Sequence, residues 1–232
     1  MTALARMRVA GFARSGRALA PLVAVLAILS VLYGGGASPA AAAYGYSAVA
    51  LFPVLAWITK LVLDTEPDVQ RRLARIAVGP AREAASGLLA AAVIGAGVCL
   101  LTMLAPVPFR AIRGPMPGTG EPSLLTGVLL GVVAHGLALA AGLALGALAA
   151  RAVTLRVLPG VAVLVSGSVL TIVLGLKGSI APWLVPPVMA FARSLSGQTA
   201  PPAATVAGLV GWTVLWCAAA LAVYAGLRRA RS

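Results

Sequence analysis

The chain has 232 residues, of which 61% are apolar and 10% charged, with a mean hydropathy of +1.02. A soluble domain is roughly 45–50% apolar and about 25% charged, so the composition excludes a water-soluble enzyme, a nucleic-acid-binding domain and a disordered tail, and makes lipid the expected solvent. Its formal charge of +13 comes from 18 basic against 5 acidic residues; in a membrane protein such an excess marks the loops that stay in the cytoplasm.

Residues 1–17 set Arg6, Arg8, Arg14 and Arg17 among Leu4, Met7, Val9 and Phe12, a basic amphipathic segment expected on the membrane surface. A first span follows at 19–33, then Gly34-Gly35-Gly36 and an Ala/Pro-rich connection. A basic start, apolar run and Ala-rich end also suit a secretory signal, but the multi-span pattern that continues favours a retained helix. The second span is predicted at 46–63, a charged stretch at 64–86 and the third span at 87–104. A Pro/Gly-rich loop occupies 105–122, and the fourth span 124–150. Arg151 and Arg156 bound a short turn. The fifth span covers 157–176, with a kink expected at Pro159. Residues 177–203 are broken by Pro182, Pro186, Pro187, Pro201 and Pro202, and the sixth span is 205–227. Cys99 and Cys217 lie inside apolar runs and are read as small buried hydrophobes.

Six spans put both termini on one side. With N and C inside, fourteen basic residues fall on the cytoplasmic side and four, Arg110, Arg113, Lys177 and Arg193, outside, as the positive-inside rule requires. The predicted fold is one all-α integral membrane domain over 1–232.

Four of the five acids, Asp64, Glu66, Asp68 and Glu83, lie in the stretch 64–86. Thr65-Glu66-Pro67-Asp68 has the form of a helix start, with Thr65 as cap, and Asp68 is placed to pair with Arg72 at i+4. Val69, Leu73 and Ile76 form a narrow apolar stripe, Gln70, Arg71, Arg72 and Arg75 fill the other faces, and Gly79-Pro80 stops the helix. A second helix from about 81 runs into span three. Two readings stay open: an interfacial helix on lipid headgroups, or a docking helix for a cytosolic partner. The narrow stripe and the flanking acids Asp64, Glu66 and Asp68, which anionic headgroups would repel, favour the partner.

In span four, Gly127, Gly131, His135, Gly142, Gly146 and Ala149 share one face, the small-residue pattern that lets helices approach closely. His135 is either a neutral, hydrogen-bonded residue of a helix interface or a polar lining of a substrate path. Ser166, Ser168 and Thr171 in span five are weaker path candidates, because such hydroxyls mostly bond back to their own helix. The 177–203 stretch fits a hairpin of two half-length helices dipping into the outer leaflet, with Trp183 and Phe191 on it; an ordinary surface loop is the alternative.

The sequence contains no Gly-x-x-x-x-Gly-Lys-Ser/Thr, so this chain is not itself a P-loop ATPase. No carboxylate lies inside a span, which disfavours a self-powered carrier. A single His is too few for a bis-His haem or a zinc protease, and Ser166-Gly167-Ser168 lacks the context of an intramembrane serine protease. No enzymatic activity and no bound cofactor or metal are expected of this chain.

The basic N-terminal segment, six spans with a charged helix between the second and third, and the broken stretch between the fifth and sixth together resemble the membrane subunit of an ABC-2 type (type V, exporter-class) ABC transporter. Leu63-Asp64-Thr65-Glu66-Pro67-Asp68-Val69-Gln70-Arg71-Arg72-Leu73 resembles the coupling-helix region of such permeases from high-GC bacteria, and the abundance of Arg and absence of Asn agree with that source. The resemblance implies a permease of a bacterial cytoplasmic membrane that works with a second permease, identical or paralogous, and with separate P-loop ATPase chains that carry ATP and Mg. It implies ATPase coupling through Val69, Arg72, Leu73, Arg75 and Ile76, and export of a hydrophobic or amphipathic compound past an outer gate at Trp183 and Phe191. An ATP-independent small carrier or membrane assembly partner is the alternative.

Overall fold

A computed structural model describes residues 2–230, except the side chain of Asp68. Arg231 and the predicted Asp68–Arg72 pair lie outside what is described. Eleven α-helices, one 3₁₀ turn and a two-residue strand pair are present among the described residues. Helix α1 (Thr2–Arg14) turns through 77° into α2 (Leu19–Tyr33). Then come β1 (Ser38–Pro39), α3 (Ala40–Asp64), α4 (Asp68–Val78), α5 (Pro80–Leu104), α6 (Pro106–Phe109) and β2 (Ile112–Arg113). The chain continues through α7 (Leu124–Leu148), α8 (Arg151–Thr154), α9 (Val157–Leu174), a 3₁₀ turn (Pro182–Leu184), α10 (Val188–Leu195) and α11 (Ala203–Ala230).

Five helices are long and apolar enough to cross a membrane, and the bent α1–α2 pair brings the total to six if taken as one span. Along α9, Val157, Leu158, Val161, Val165 and Val169 all face outward, a surface that water would penalise and hydrocarbon would not. The chain is therefore an all-α, multi-pass membrane protein.

The long helices alternate in direction, and contacts sort their ends into two groups. At one end lie Arg8, Glu66, Glu83, Arg151 and Arg228; at the other, Ser38 pairs with Ile112 in the strand bridge. We call these the basic end and the far end. Helices α3 and α7 run parallel at the centre, flanked by α2, α5, α9, α10 and α11. In the most apolar stretch of each helix, 61% of α3 and 50% of α7 is buried, against 22% of α9 and 17% of α11. The centre is packed against protein and the periphery is left for lipid.

Small residues build that centre. A Cβ at Gly127 would sit 2.8 Å from the Ala40 methyl, one at Gly131 2.7 Å from Tyr44 Cβ, and one at Gly142 2.8 Å from Leu55 Cβ. Backbones this close allow dispersion contacts along the whole seam, which is how helices associate where lipid removes the hydrophobic drive.

Several boundaries differ from the sequence prediction. Helix α3 starts at Ala40, six residues before the expected span, because the weakly hydropathic 40–45 segment is buried against α7. Helix α4 starts at Asp68 with Pro67 before it; Thr65 does not cap it but donates to the Leu61 carbonyl at 2.6 Å, closing the end of α3 instead. Gly79, at φ 84°, makes the break into α5, a conformation that a side chain would strain. Pro159 falls in the first turn of α9, where no intrahelical N–H is needed, and the helix runs on unbroken. Pro182–Leu184 forms a single 3₁₀ turn rather than a half-length helix. Helix α10 is the one half-length helix there, and it buries Val188, Phe191, Ala192 and Leu195. It packs Ala192 against Gly45, about 8 Å below the start of α3 at 1.5 Å per residue. Helix α1 does more than lie on a surface: it buries Ala5, Arg8 and Phe12, chiefly against α5.

Candidate functional site

Helix α4 is short, tethered by Pro67 and Gly79, and has two unlike faces. Its apolar ridge points away from the protein: Val69 is 69% exposed, Leu73 61% and Ile76 84%, with Arg72 exposed beside them. Eleven residues are too few for a helix to hold itself in water, so the opposite face must anchor it. Arg71 is buried there, and Arg75 turns toward α5, with Nε 3.6 Å from Glu83 Oε2. Arg75 thus belongs to the anchoring face rather than to the rim of the exposed ridge.

The anchor is a buried ion network with Glu83 at its hub. Arg8 of α1 donates from Nη2 to Glu83 Oε1 at 2.7 Å and from Nη1 to the Glu83 carbonyl at 2.8 Å. The same guanidinium forks onto Glu66, Nε to Oε1 at 2.7 Å and Nη2 to Oε2 at 2.5 Å, and reaches Ser86 Oγ at 3.1 Å. Arg228 of α11 closes the network by donating to Glu83 Oε2, and its second Nη donates to the Tyr224 hydroxyl at 2.8 Å. Gly87 makes room for it: a Cβ there would meet Arg8 Nη1 at 2.6 Å. A fork of fixed N–H donors suits a bidentate carboxylate, so Arg is the fitting cation at this crossing.

A second pair pins the end of α3. Asp64 accepts from Lys60 Nζ at 2.5 Å and from the Arg151 backbone N–H at 2.8 Å, while Arg151 Nη2 donates to the Asp64 carbonyl at 3.0 Å. Asp64 and Glu66 are both neutralised inside the protein. The expected repulsion of headgroups by these acids therefore does not arise, and the case for a partner rests on the exposed ridge.

His135 lies in the α3–α7 seam, 2% exposed. Its Nδ1–H donates to the Gly131 carbonyl at 2.8 Å, which leaves Nε2 as acceptor, 3.3 Å from the Ser47 hydroxyl; Tyr44 meets its ring edge-on. Ser166 and Thr171 bond back to the Ala162 and Gly167 carbonyls. Ser168 differs: its buried Oγ has no partner among the described residues. It lines an apolar groove of about 680 Å³ between α2, α3 and α9, walled by Pro53, Trp57, Leu164 and Val165, with Lys60 also on its lining. At the far end Trp183 is 62% exposed and borders a hollow with Trp212, whereas Phe191 is buried in the core.

The network was not visible in the sequence. Its pairs are separated by 58, 75 and 145 residues. The one available signal was Glu83 itself, an acid at the mouth of an apolar span that needs a cation to be tolerated. Comparison of the chain with protein-family models, with curated proteins and with solved structures finds no match.

Proposed function

We propose that this chain is the membrane-spanning permease subunit of an ATP-driven, ABC-2 type exporter. It moves a hydrophobic or amphipathic compound out of the cytoplasm of a bacterium, in the plasma membrane, paired with a second permease. ATP and Mg are held by separate P-loop ATPase chains, and N and C termini are cytoplasmic.

The observation that carries this reading is α4. It presents Val69, Leu73 and Ile76 to the outside on an otherwise anchored helix between two candidate spans. A small apolar ridge with Arg72 beside it suits a groove on a folded partner. Force applied to α4 has a route inward, because Arg75, Glu83, Arg8 and Arg228 tie it to α1, α5 and α11. The groove lined by Ser168 and the far-end Trp183 supply a passage and an exit in the same reading.

The test uses the chain purified from its native membrane with its ATPase. Leu73→Cys should crosslink to the ATPase. Leu73→Asp should leave insertion and elution unchanged but release the ATPase or uncouple hydrolysis from export, by placing an unpaired charge in the contact. If Leu73→Asp binds the ATPase and exports like wild type, α4 is not a coupling helix and lies on headgroups instead.

A further inference from the structure

On the other flank of the ion network, α4, α5 and α11 enclose a cavity of about 370 Å³. Its inner wall is apolar, formed by Ala84, Leu88 and Leu221; its rim carries Arg75, Arg228 and Arg229. We propose that this cavity is a binding site for an anionic phospholipid, with the headgroup phosphate among the arginines and the first acyl carbons on the apolar wall. The inference is independent of the exporter reading.

Charge is the first argument. Among the described residues, the ion pairs of the junction set two carboxylates, Glu66 and Glu83, against three guanidinium groups, Arg8, Arg75 and Arg228. The excess calls for an anion. The second argument is an unmet donor. Arg75 Nε is buried and has no hydrogen-bond partner among the described residues, Glu83 being too far at 3.6 Å. A buried charged donor left without a partner is costly, and a phosphate oxygen in the cavity would supply one.

Place and shape are the third. Pro80 and Ala81, the first residues of the 25-residue helix α5, also line the cavity, and no side chain caps that helix, so the positive end of its dipole adds to the field. The arginines sit where the apolar helices end, which is headgroup depth, and basic pockets between spans are suited to anionic headgroups. Free phosphate would leave the Ala84, Leu88 and Leu221 wall wet. A lipid covers both halves, and a zwitterionic one brings its own ammonium and gains less.

The experiment delipidates the full purified chain in detergent. It then measures retained lipid by native mass spectrometry after incubation with phosphatidylglycerol, phosphatidylcholine or inorganic phosphate. Wild type should retain phosphatidylglycerol about tenfold over phosphatidylcholine and show no binding of phosphate alone. Arg75→Gln should lower that retention about tenfold. Arg229→Gln, at an exposed position, should lower it about fivefold. Leu221→Trp should lower it by filling the cavity with no change of charge. Equal retention of the two lipids overturns the proposal, as does unchanged phosphatidylglycerol retention in Arg229→Gln together with whichever other variant elutes as folded. Phosphate binding as tightly as phosphatidylglycerol overturns the lipid as occupant.

Discussion

The α3–α7 seam and the basic-end junction hold different helices together by opposite means. The seam is shape: Gly127, Gly131 and Gly142 bring backbones into contact, and its polar members, His135 and Ser47, make neutral hydrogen bonds. The junction is charge: among the described residues, two carboxylates and three arginines from four helices and the α3–α4 link, buried or half-buried together. A seam built on close fit tolerates removal of a polar group and punishes added volume. A junction built on paired charge punishes removal of one partner, because the others stay buried and uncompensated. The junction is also where α4 attaches, so the helix with the exposed apolar ridge hangs from the part of the molecule most sensitive to charge.

The largest effect should come from breaking the junction. Glu83→Gln removes the hub from a site that is 2% exposed and should cost about 3–5 kcal/mol, read as a shift in detergent-induced unfolding. Arg8→Gln in the same background should add far less than it costs alone, since both act on one network. Additive losses would mean that the two residues are not coupled.

Volume added to the seam should come next. A Val at position 142 would drive carbon into Leu55 Cβ and the Ala56 amide, 2.8 and 3.1 Å from an ideal Cβ. Gly142→Val should cost about 1–3 kcal/mol, and the loss should be the same at low and high salt. A smaller change belongs to the seam's polar pair. His135→Leu leaves the Ser47 hydroxyl without its cross-helix partner and should cost on the order of 1 kcal/mol, whereas His135→Gln should be tolerated better. If His135→Leu is as stable and as active as wild type, the residue is neither glue nor lining.

The smallest effect is at the far end, in a loop outside both regions. Arg113 forks onto Glu121 at 2.7 Å through each nitrogen, and Met116 N–H adds a third bond at 2.9 Å. These hold the Glu121 carboxyl down at about 2. Because its folded value lies below the ordinary carboxylate range, the clip is fully formed above that range and is lost as pH falls toward about 2. Hydrogen exchange of the 114–120 loop should accelerate over that window with little change in global unfolding. An exchange rate independent of pH after correction for intrinsic chemistry would remove the clip.

The positions of the spans followed from the sequence because the cost of leaving an apolar run in water is local. Helices α2, α7 and α9 begin where the apolar runs begin, at Leu19, Leu124 and Val157, and Gly79-Pro80 ends α4 as its backbone chemistry requires. The glycine face of span four announced a close approach, and the apolar stripe of α4 was legible from its i, i+4, i+7 spacing. What only the tertiary structure decided is which groups meet. That α3 is the helix on the glycine face, that Ser47 faces His135, that Phe191 points into the core and Trp183 outward, and that Arg75 turns from the ridge to Glu83 all depend on helix rotation and pairing. Glu83 joins Arg8 and Arg228 across 75 and 145 residues, a choice the chain makes only when the helices have packed, because a buried carboxylate takes whatever cations the fold brings within reach.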